Sequence, residues 1–478
     1  MTWDERLLNE HRLAWLQQDP STRYSPRGVI ALDNTLIDHA GQLIEDVGWF
    51  WDHADQRHLI AHDYLIANYV CTSGKHYPLE FRRFRKKEGG FARDYGQDDH
   101  LGGRTGHRRR KDIGTDQLRT MPMTFNTILE PFTTFVVGSL PRPEWLRQLI
   151  EERKRGEISY EEADELIDDA VPMAIRLQER ANIDFVSDGE WRRESYVKVF
   201  TEHVSGFTLD AKMSVGANVT EPVVSERIEQ HSDLATEAAK FLLEHATHRS
   251  IVALPSPYIL AWRMWKPELS AGAYPTREEF METCIPIVRD EIGKLTALGV
   301  DHVQLDEPWM LMMADPEVRQ RIGADDLSGE IDLCVRMMNE VVKDAEIPLS
   351  MHLCHGHFNR RRSSDTGYES IIEALGDIQV GRFAMEFAAP QSHGIEALSK
   401  FPKDKVLGLG VIDHCDARVE TPEDVVSRAE AALKYVDAER ITLNPDCGFS
   451  PGAQNPMDMD EAYLKLHALA EGAAILKR

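Results

Sequence analysis

Eight short β-prone runs recur from residue 133 to the C-terminus: TTFVVGSL (133–140), DFVSDGE (184–190), SIVALPS (250–256), DHVQLDEP (301–308), PLSMHLCHG (348–356), GRFAMEFAAP (381–390), KVLGLGVID (405–413) and RITLNPDCG (440–448). Longer stretches with apolar residues at helical spacing lie between them. SYEEADELIDDAVPMAIRLQERA opens on a capping Ser, TREEFMETCIPIVRDEIGKLTALG stops at Gly299, and TPEDVVSRAEAALKYV opens on Thr421. Strands alternating with helices imply parallel βα units, because parallel neighbours need a crossover connection. Eight such units predict an α/β fold of the (β/α)8 (TIM) barrel type with insertions.

The runs share a second regularity, since nearly every one ends in polar or Gly-flanked residues. These ends are Gly138-Ser139, Asp188-Gly189-Glu190, Asp306-Glu307, His352 with Cys354, Glu386, Asp413-His414 and Asp446-Cys447. In a parallel barrel all strand C-termini open on one face, and that face carries the active site. Residues scattered over the sequence are therefore expected to converge in space.

Composition narrows the class. The 478 residues are 42% hydrophobic, enough for at least one large core, and the net charge of −25 argues against a nucleic-acid binder. No apolar run approaches the roughly 18 residues of a membrane span, and the charged N-terminus lacks a signal-peptide core. A cytoplasmic protein is expected. The six cysteines, Cys71, Cys284, Cys334, Cys354, Cys415 and Cys447, are too dispersed for a disulfide framework. Cys284 and Cys334 fall in helix-like apolar stretches and read as buried structural thiols, whereas Cys354 and Cys447 have polar, Gly-flanked company.

His352 and Cys354 would project from the same side of a strand, whose side chains alternate with period two. Cys447 adds a second thiolate and Glu386 an oxygen, giving a mixed S, N, O set suited to tetrahedral zinc (Zn2+) and unsuited to magnesium or calcium. The competing readings are a structural zinc, which normally uses close Cys pairs absent here, and a metal-free packing of the same residues. A zinc-bound thiol is deprotonated, and the thiolate is the nucleophile. An exchangeable Glu oxygen would give an incoming thiol a place to bind, so alkyl transfer to a substrate thiol is the expected reaction.

With these motifs, residues from about 130 to 478 resemble the catalytic C-terminal barrel of cobalamin-independent methionine synthase, in its short single-barrel branch. VVGSLPRP (136–143) resembles the opening loop, which implies that Gly138 and Ser139 bind the amino-acid substrate. SDGEWRRESYVKVF and QLDEPW resemble segments whose acids, here Glu190 and Asp306, hold the substrate amine. HLC, MEF and NPDCG resemble the zinc-ligand segments, implying His352, Cys354, Glu386 and Cys447. GVIDH (410–414) resembles the loop whose His, here His414, is a general acid near the methyl donor, with Asp413 orienting it. The implied activity is methyl transfer to homocysteine, forming methionine, from 5-methyltetrahydrofolate or a methyl-corrinoid.

Two departures qualify this likeness. The second, N-terminal barrel of the full-length family is missing. HLCHGHFNRR and LPSPYILAWRMW replace the usual segments after the zinc Cys and near the folate, leaving Trp262 either a pterin-stacking or a core residue. Arg192, Arg193 and Arg360 to Arg362 read mainly as a solvated charged rim.

Residues 1–120 differ from the rest. They carry the basic runs RRFRKK (82–87) and RTGHRRRKD (104–112) and a Gly-rich, linker-like segment, and the boundary is expected near Met121–Met123, with the catalytic barrel over 123–478. YSPRGVIALDNTLIDHAGQLIEDVGWFWDHADQRHLIAHDYLIANYV resembles the middle of a DDE-type transposase with an RNase H-like fold, Asp33 standing at the end of the first strand. The resemblance covers only part of such a fold, which implies a truncated, non-functional remnant. A short accessory domain is the alternative.

Three other functions compete with homocysteine methylation. Alkyl transfer to coenzyme M would leave Glu190 and Asp306 no amine to hold. A related porphyrin decarboxylase would need no zinc set, and the acidic net charge disfavours DNA binding through the N-terminal basic runs. Small-molecule partners, homocysteine and a methyl donor, are expected, with no membrane or nucleic acid.

Overall fold

A computed structural model describes the backbone over 29–38, 48–52, 57–70, 76–83, 85–87, 90–92, 129–210, 221–389, 394–450 and 456–478. The chain divides into two units, Met1–Thr120 and Met121–Arg478. Most of the Gly-rich linker and the expected boundary at Met121–Met123 lie outside the described residues.

In the first unit, β1 (Val29–Asp38), β2 (Gly48–Asp52) and β4 (His76–Arg83) all pair antiparallel with β3 (Arg57–Val70). β5 (Arg85–Lys87) and β6 (Gly90–Ala92) form a separate antiparallel pair. Asp33 lies opposite Ile66 in mid-strand rather than at the end expected for it. The β-prone residues Thr35, Leu36 and Ile37 carry the strand onward.

The second unit is built on a curled sheet of seven parallel strands. These are β7 (Phe185–Val186), β10 (Arg249–Pro255), β11 (His302–Asp306), β12 (Leu349–Leu353), β15 (Arg382–Met385), β16 (Val406–Ile412) and β17 (Ile441–Pro445). They pair in chain order from β7 at one edge to β17 at the other. The remaining run, near residue 134, bonds to both edges. Phe135 N–H donates to the Leu443 carbonyl (2.9 Å), and Phe185 N–H donates to the Thr134 carbonyl (3.0 Å). All eight sequence runs are thus accounted for. β11, β12, β15, β16 and β17 are buried along their whole length, as strands covered on both faces must be.

The expected helices form where their caps predict. Ser159 caps Tyr160–Arg180 by accepting from Glu162 N–H, Thr276 and Gly299 (φ 86°) bracket Arg277–Leu298, and Thr421 with Asp424 makes a capping box for Pro422–Ala432. Cys284 and Cys334 are buried in helices, as read. Two antiparallel hairpins were not anticipated. One joins β8 (Val204–Asp210) to β9 (Glu221–Gln230), and a short one joins β13 (His357–Phe358) to β14 (Arg361–Arg362).

The interior layer beneath the site is aromatic and cationic. Phe135 stacks on Phe185 at 4.1 Å, and the Arg382 guanidinium lies 4.0 Å above the Phe135 ring. Arg382 donates to Thr442 (2.8 Å) and to Asn444, and burial lowers its pKa to about 9. Gly408 makes room, because a Cβ there would meet the Arg382 guanidinium at 2.4 Å. No helix among the described residues is long and apolar enough to cross a membrane.

Candidate metal and thiol site

The C-terminal ends of the parallel strands deliver the expected residues. His352 is the last residue but one of β12 and pairs in register with Asp306 on β11 and Ala384 on β15. Cys354 follows β12, Glu386 follows β15, Asp413 and His414 follow β16, and Asp446 and Cys447 follow β17.

Ligand atoms of Cys354, His357, Glu386 and Cys447 lie within 4.8 Å of one another. Three of these four come from the sequence reading, and the histidine of the group is His357, which that reading did not single out. His352 lies alongside against the Cys447 thiol, and among the described residues neither of its buried ring nitrogens has a partner with hydrogen-bond geometry. Two thiols, two imidazoles and a carboxylate form a donor set that fits zinc. A buried imidazole with both nitrogens unsatisfied is costly unless something else occupies them.

The Glu386 carboxylate is heavily partnered. His355 Nδ1 lies 2.5 Å from Oε2, His357 Nε2 3.2 Å from Oε1, and Arg362 Nε 3.4 Å from Oε2. Burial alone would raise its pKa, but His357 and His355 outweigh it and hold Glu386 well below the usual carboxylate range. Tyr368 ties the two strand ends together, accepting from Glu386 N–H (2.8 Å) and donating to the Leu353 carbonyl (3.2 Å). Asp446 accepts from the N–H groups of Phe387 (3.0 Å) and Ala388 (2.9 Å), which fixes the loop after Glu386. Burial, then the Glu386 charge, pushes Asp446 up to about 7. Gly410 permits this crossing, since a Cβ there would sit 2.2 Å from the Asp446 carboxylate.

The expected amino-acid subsite adjoins the donors. Burial first, then repulsion from Asp306 and Asp188, outweighs Arg193 and pushes Glu190 up to about 7. Asp306 is also raised by burial, although His352 and a hydrogen bond from Gln304 Nε2 (2.9 Å) favour its charge. Gln304 Nε2 also reaches the Val137 carbonyl (2.6 Å), joining β11 to the Gly138-Ser139 loop. Phe449 N–H donates to the Ser139 carbonyl (2.7 Å), and a Cβ on Gly448 would lie 2.2 Å from the Ser139 hydroxyl. The Ser139 loop therefore packs directly on the loop that carries Cys447. A cavity of about 860 Å³ opens here, with Ser139, Glu190, Tyr196 and Phe449 in its wall.

Gly138 lies close against Glu190, with φ 153° and a would-be Cβ 2.4 Å from Glu190 Oε1. Gly138→Ala is expected to push the buried Glu190 carboxylate aside and to cost about 1–3 kcal/mol. A urea midpoint would register the loss, and an unchanged midpoint would show that the carboxylate has room to move.

Several details differ from expectation. Asp413 does not orient His414. Its carboxylate accepts from Cys415 N–H (2.8 Å) and faces Arg362 (3.8 Å), because adjacent residues at a strand end point to opposite sides. His414 packs edge-on against His357 at 4.2 Å, and its Nδ1 is buried without a partner among the described residues. Burial, then His357, holds His414 well below the ordinary imidazole pKa.

The arginines are not a solvated rim. Arg193 is buried and donates to the Ala253 carbonyl (2.7 Å), Arg362 points inward at Glu386 and Asp446, Arg192 pairs with Asp168, and Arg360 pairs with Glu461. Arg361 alone stays exposed. Trp262 stacks on Trp309 (5.5 Å) beneath the Arg277 guanidinium (3.5 Å), which favours the packing role for it.

Residues 132–472 match the family model described as the cobalamin-independent synthase catalytic domain. A methionine synthase from Pyrococcus abyssi is 30% identical over 350 residues, covering 72% of this chain and 93% of that protein. One from Pyrococcus horikoshii is 29% identical over the same shares of each chain. In fold, the second unit is similar to a B12-independent methionine synthase from Shewanella sp. W3-18-1 solved with selenomethionine. The TM-score is 0.59 at 24% identity, over 73% of this chain and 98% of that one.

Proposed function

The chain belongs to the family of cobalamin-independent synthases through its catalytic domain, and on that premise we propose that it methylates the thiol of homocysteine to form methionine, using zinc. The observation that carries this reading is the meeting of Cys354, Cys447, Glu386 and two imidazoles with a buried pair of acids, Glu190 and Asp306. We further propose that the curled sheet, with the run near residue 134 between its edges, is a (β/α)8 barrel.

His352, Cys354, Glu386 and Cys447 would hold the metal. Bound there, zinc would keep a substrate thiol deprotonated. The protein's own groups do the rest. Glu190 and Asp306 receive the ammonium group of homocysteine, and Ser139, with the backbone at Gly138, receives its carboxylate. His414 is the general acid for the leaving portion of the donor, which is 5-methyltetrahydrofolate or a methyl-corrinoid. Coenzyme M fits worse, because a sulfonate thiol would bring no ammonium group to the two buried acids.

The test supplies each isotopically labelled methyl donor with homocysteine and follows labelled methionine. Formation with either donor supports the proposal, and transfer to coenzyme M but not to homocysteine would overturn it. A cytoplasmic location and small-molecule partners alone belong to the same proposal.

A pH dependence follows from Glu190. A carboxyl pushed up to about 7 is neutral below that pH and cannot pair with an ammonium, so methionine binding should tighten as pH rises through 7. The slope is at most about tenfold per pH unit for one proton. The same raised pKa favours the fold below the ordinary carboxylate value, and that contribution is lost as pH rises towards 7. Calorimetric titration with methionine between pH 6 and 8 tests this, and Glu190→Gln should flatten the profile.

For residues 1–120 we infer a transposase-like remnant without activity. Purified protein given DNA with magnesium or manganese should not cut it. Cutting that Asp33→Ala abolishes would restore a functional domain.

A further inference from the structure

We propose that Arg142 is the cation that receives the carboxylate of the amino-acid substrate, and that it selects acceptors carrying a free carboxylate. The inference rests on the homocysteine reading above and deepens it.

Among the described residues, four cations line the cavity beside Ser139 and Glu190, and three of them already have partners. Arg147 pairs with Glu144, Lys154 with Glu151 (2.7 Å) and Arg155 with Glu157 (2.7 Å). These are local pairs on or just after the helix Glu144–Lys154, and they neutralise one another at the cavity mouth.

Arg142 is held differently. Its Nη2 donates to the carbonyls of Glu190 (2.6 Å) and Arg193 (2.5 Å), and its Nε is buried with no partner among the described residues. A guanidinium carries five N–H donors, so those two bonds leave donors to spare. Burial lowers the pKa of Arg142, while Glu190, Glu202 and Asp188 favour its charge from a distance, without an ion pair to it. A cation drawn out of water without a counter-ion is costly unless an anion arrives to pair with it.

Its position suits a zwitterion. The ammonium and carboxylate of an α-amino acid sit on one carbon, so their two receivers must be neighbours. Arg142 grips the backbone of Glu190, the residue whose side chain would meet the ammonium. Glu190 has φ 57°, a left-handed conformation that a non-glycine residue adopts only when its surroundings hold it there. The Arg142 bonds on either side of the turn, at Glu190 and Arg193, supply part of that hold. Ser139 lines the same cavity wall. A hydroxyl alone gives a neutral hydrogen bond and separates a carboxylate from an amide poorly. A guanidinium binds the carboxylate by charge-assisted bonds that an amide cannot match.

The test is calorimetric titration of the full-length protein with methionine and with methioninamide. The amide keeps the side chain and amino group of methionine but has no anionic oxygen. Arg142→Met should weaken methionine binding by roughly 10–100-fold and leave methioninamide binding nearly unchanged. Arg142→Lys, which keeps the charge without the planar fork, should fall between wild type and Arg142→Met. Because the two ligands are compared within one protein, a general loss of stability cancels. Equal weakening of both ligands would overturn the proposal and leave Arg142 a prop for the Glu190 turn. Methionine binding that is unchanged in both variants would overturn it as well. A wild-type protein that binds neither methionine nor homocysteine would overturn the underlying homocysteine reading instead.

Discussion

Replacing Cys447 by Ser is expected to strip zinc from the protein and to abolish methyl transfer. The Cys447 sulfur lies against Cys354 and against the imidazoles of His352 and His357. A hydroxyl is a far poorer ligand for zinc than a thiolate and stays protonated at neutral pH. Changes to groups that merely orient metal ligands already cost about 10–100-fold in affinity or activity. Loss of a sulfur ligand should exceed that range. Metal content by atomic absorption and methionine formation would be measured together. A Cys447→Ser protein that lost zinc yet kept full activity would remove the metal from the mechanism.

Glu190→Gln should separate amino-acid thiols from other thiols. The substitution keeps the shape of the side chain beside Gly138 but removes the charge that would face the substrate ammonium. A hydrogen bond to a charged group contributes about 1.5–3 kcal/mol, or roughly 10–100-fold. The expected result is a loss of that size in kcat/KM for homocysteine. Thiols of similar length without an amino group should be affected little. An equal loss for both classes would show that Glu190 serves the fold rather than the amine.

The sequence revealed the architecture because buried parallel strands leave a strong trace, short apolar runs that end abruptly in polar residues. Asp306, His352, Glu386 and Cys447 were legible for that reason, each a polar position where a run meets the open face. His357 was not. It sits on a strand of two residues, too short for any alternation to show, in a segment whose positive-φ turn lacks a glycine. Arg193 and Arg362 were misjudged as rim residues because charge is visible in a sequence and burial is not. Their partners lie 60 residues away at Ala253 and 24 and 84 residues away at Glu386 and Asp446. Asp413 turns to the Cys415 N–H and Arg362 rather than to His414, because neighbouring residues at a strand end point to opposite sides.

The most direct test of the zinc-thiolate site is X-ray absorption at the zinc edge of the full-length protein, with and without homocysteine. Two sulfur neighbours should be seen in the free protein, from Cys354 and Cys447, and three once the substrate is bound. A sulfur count that stays at two in saturating homocysteine would contradict activation of the thiol by the metal.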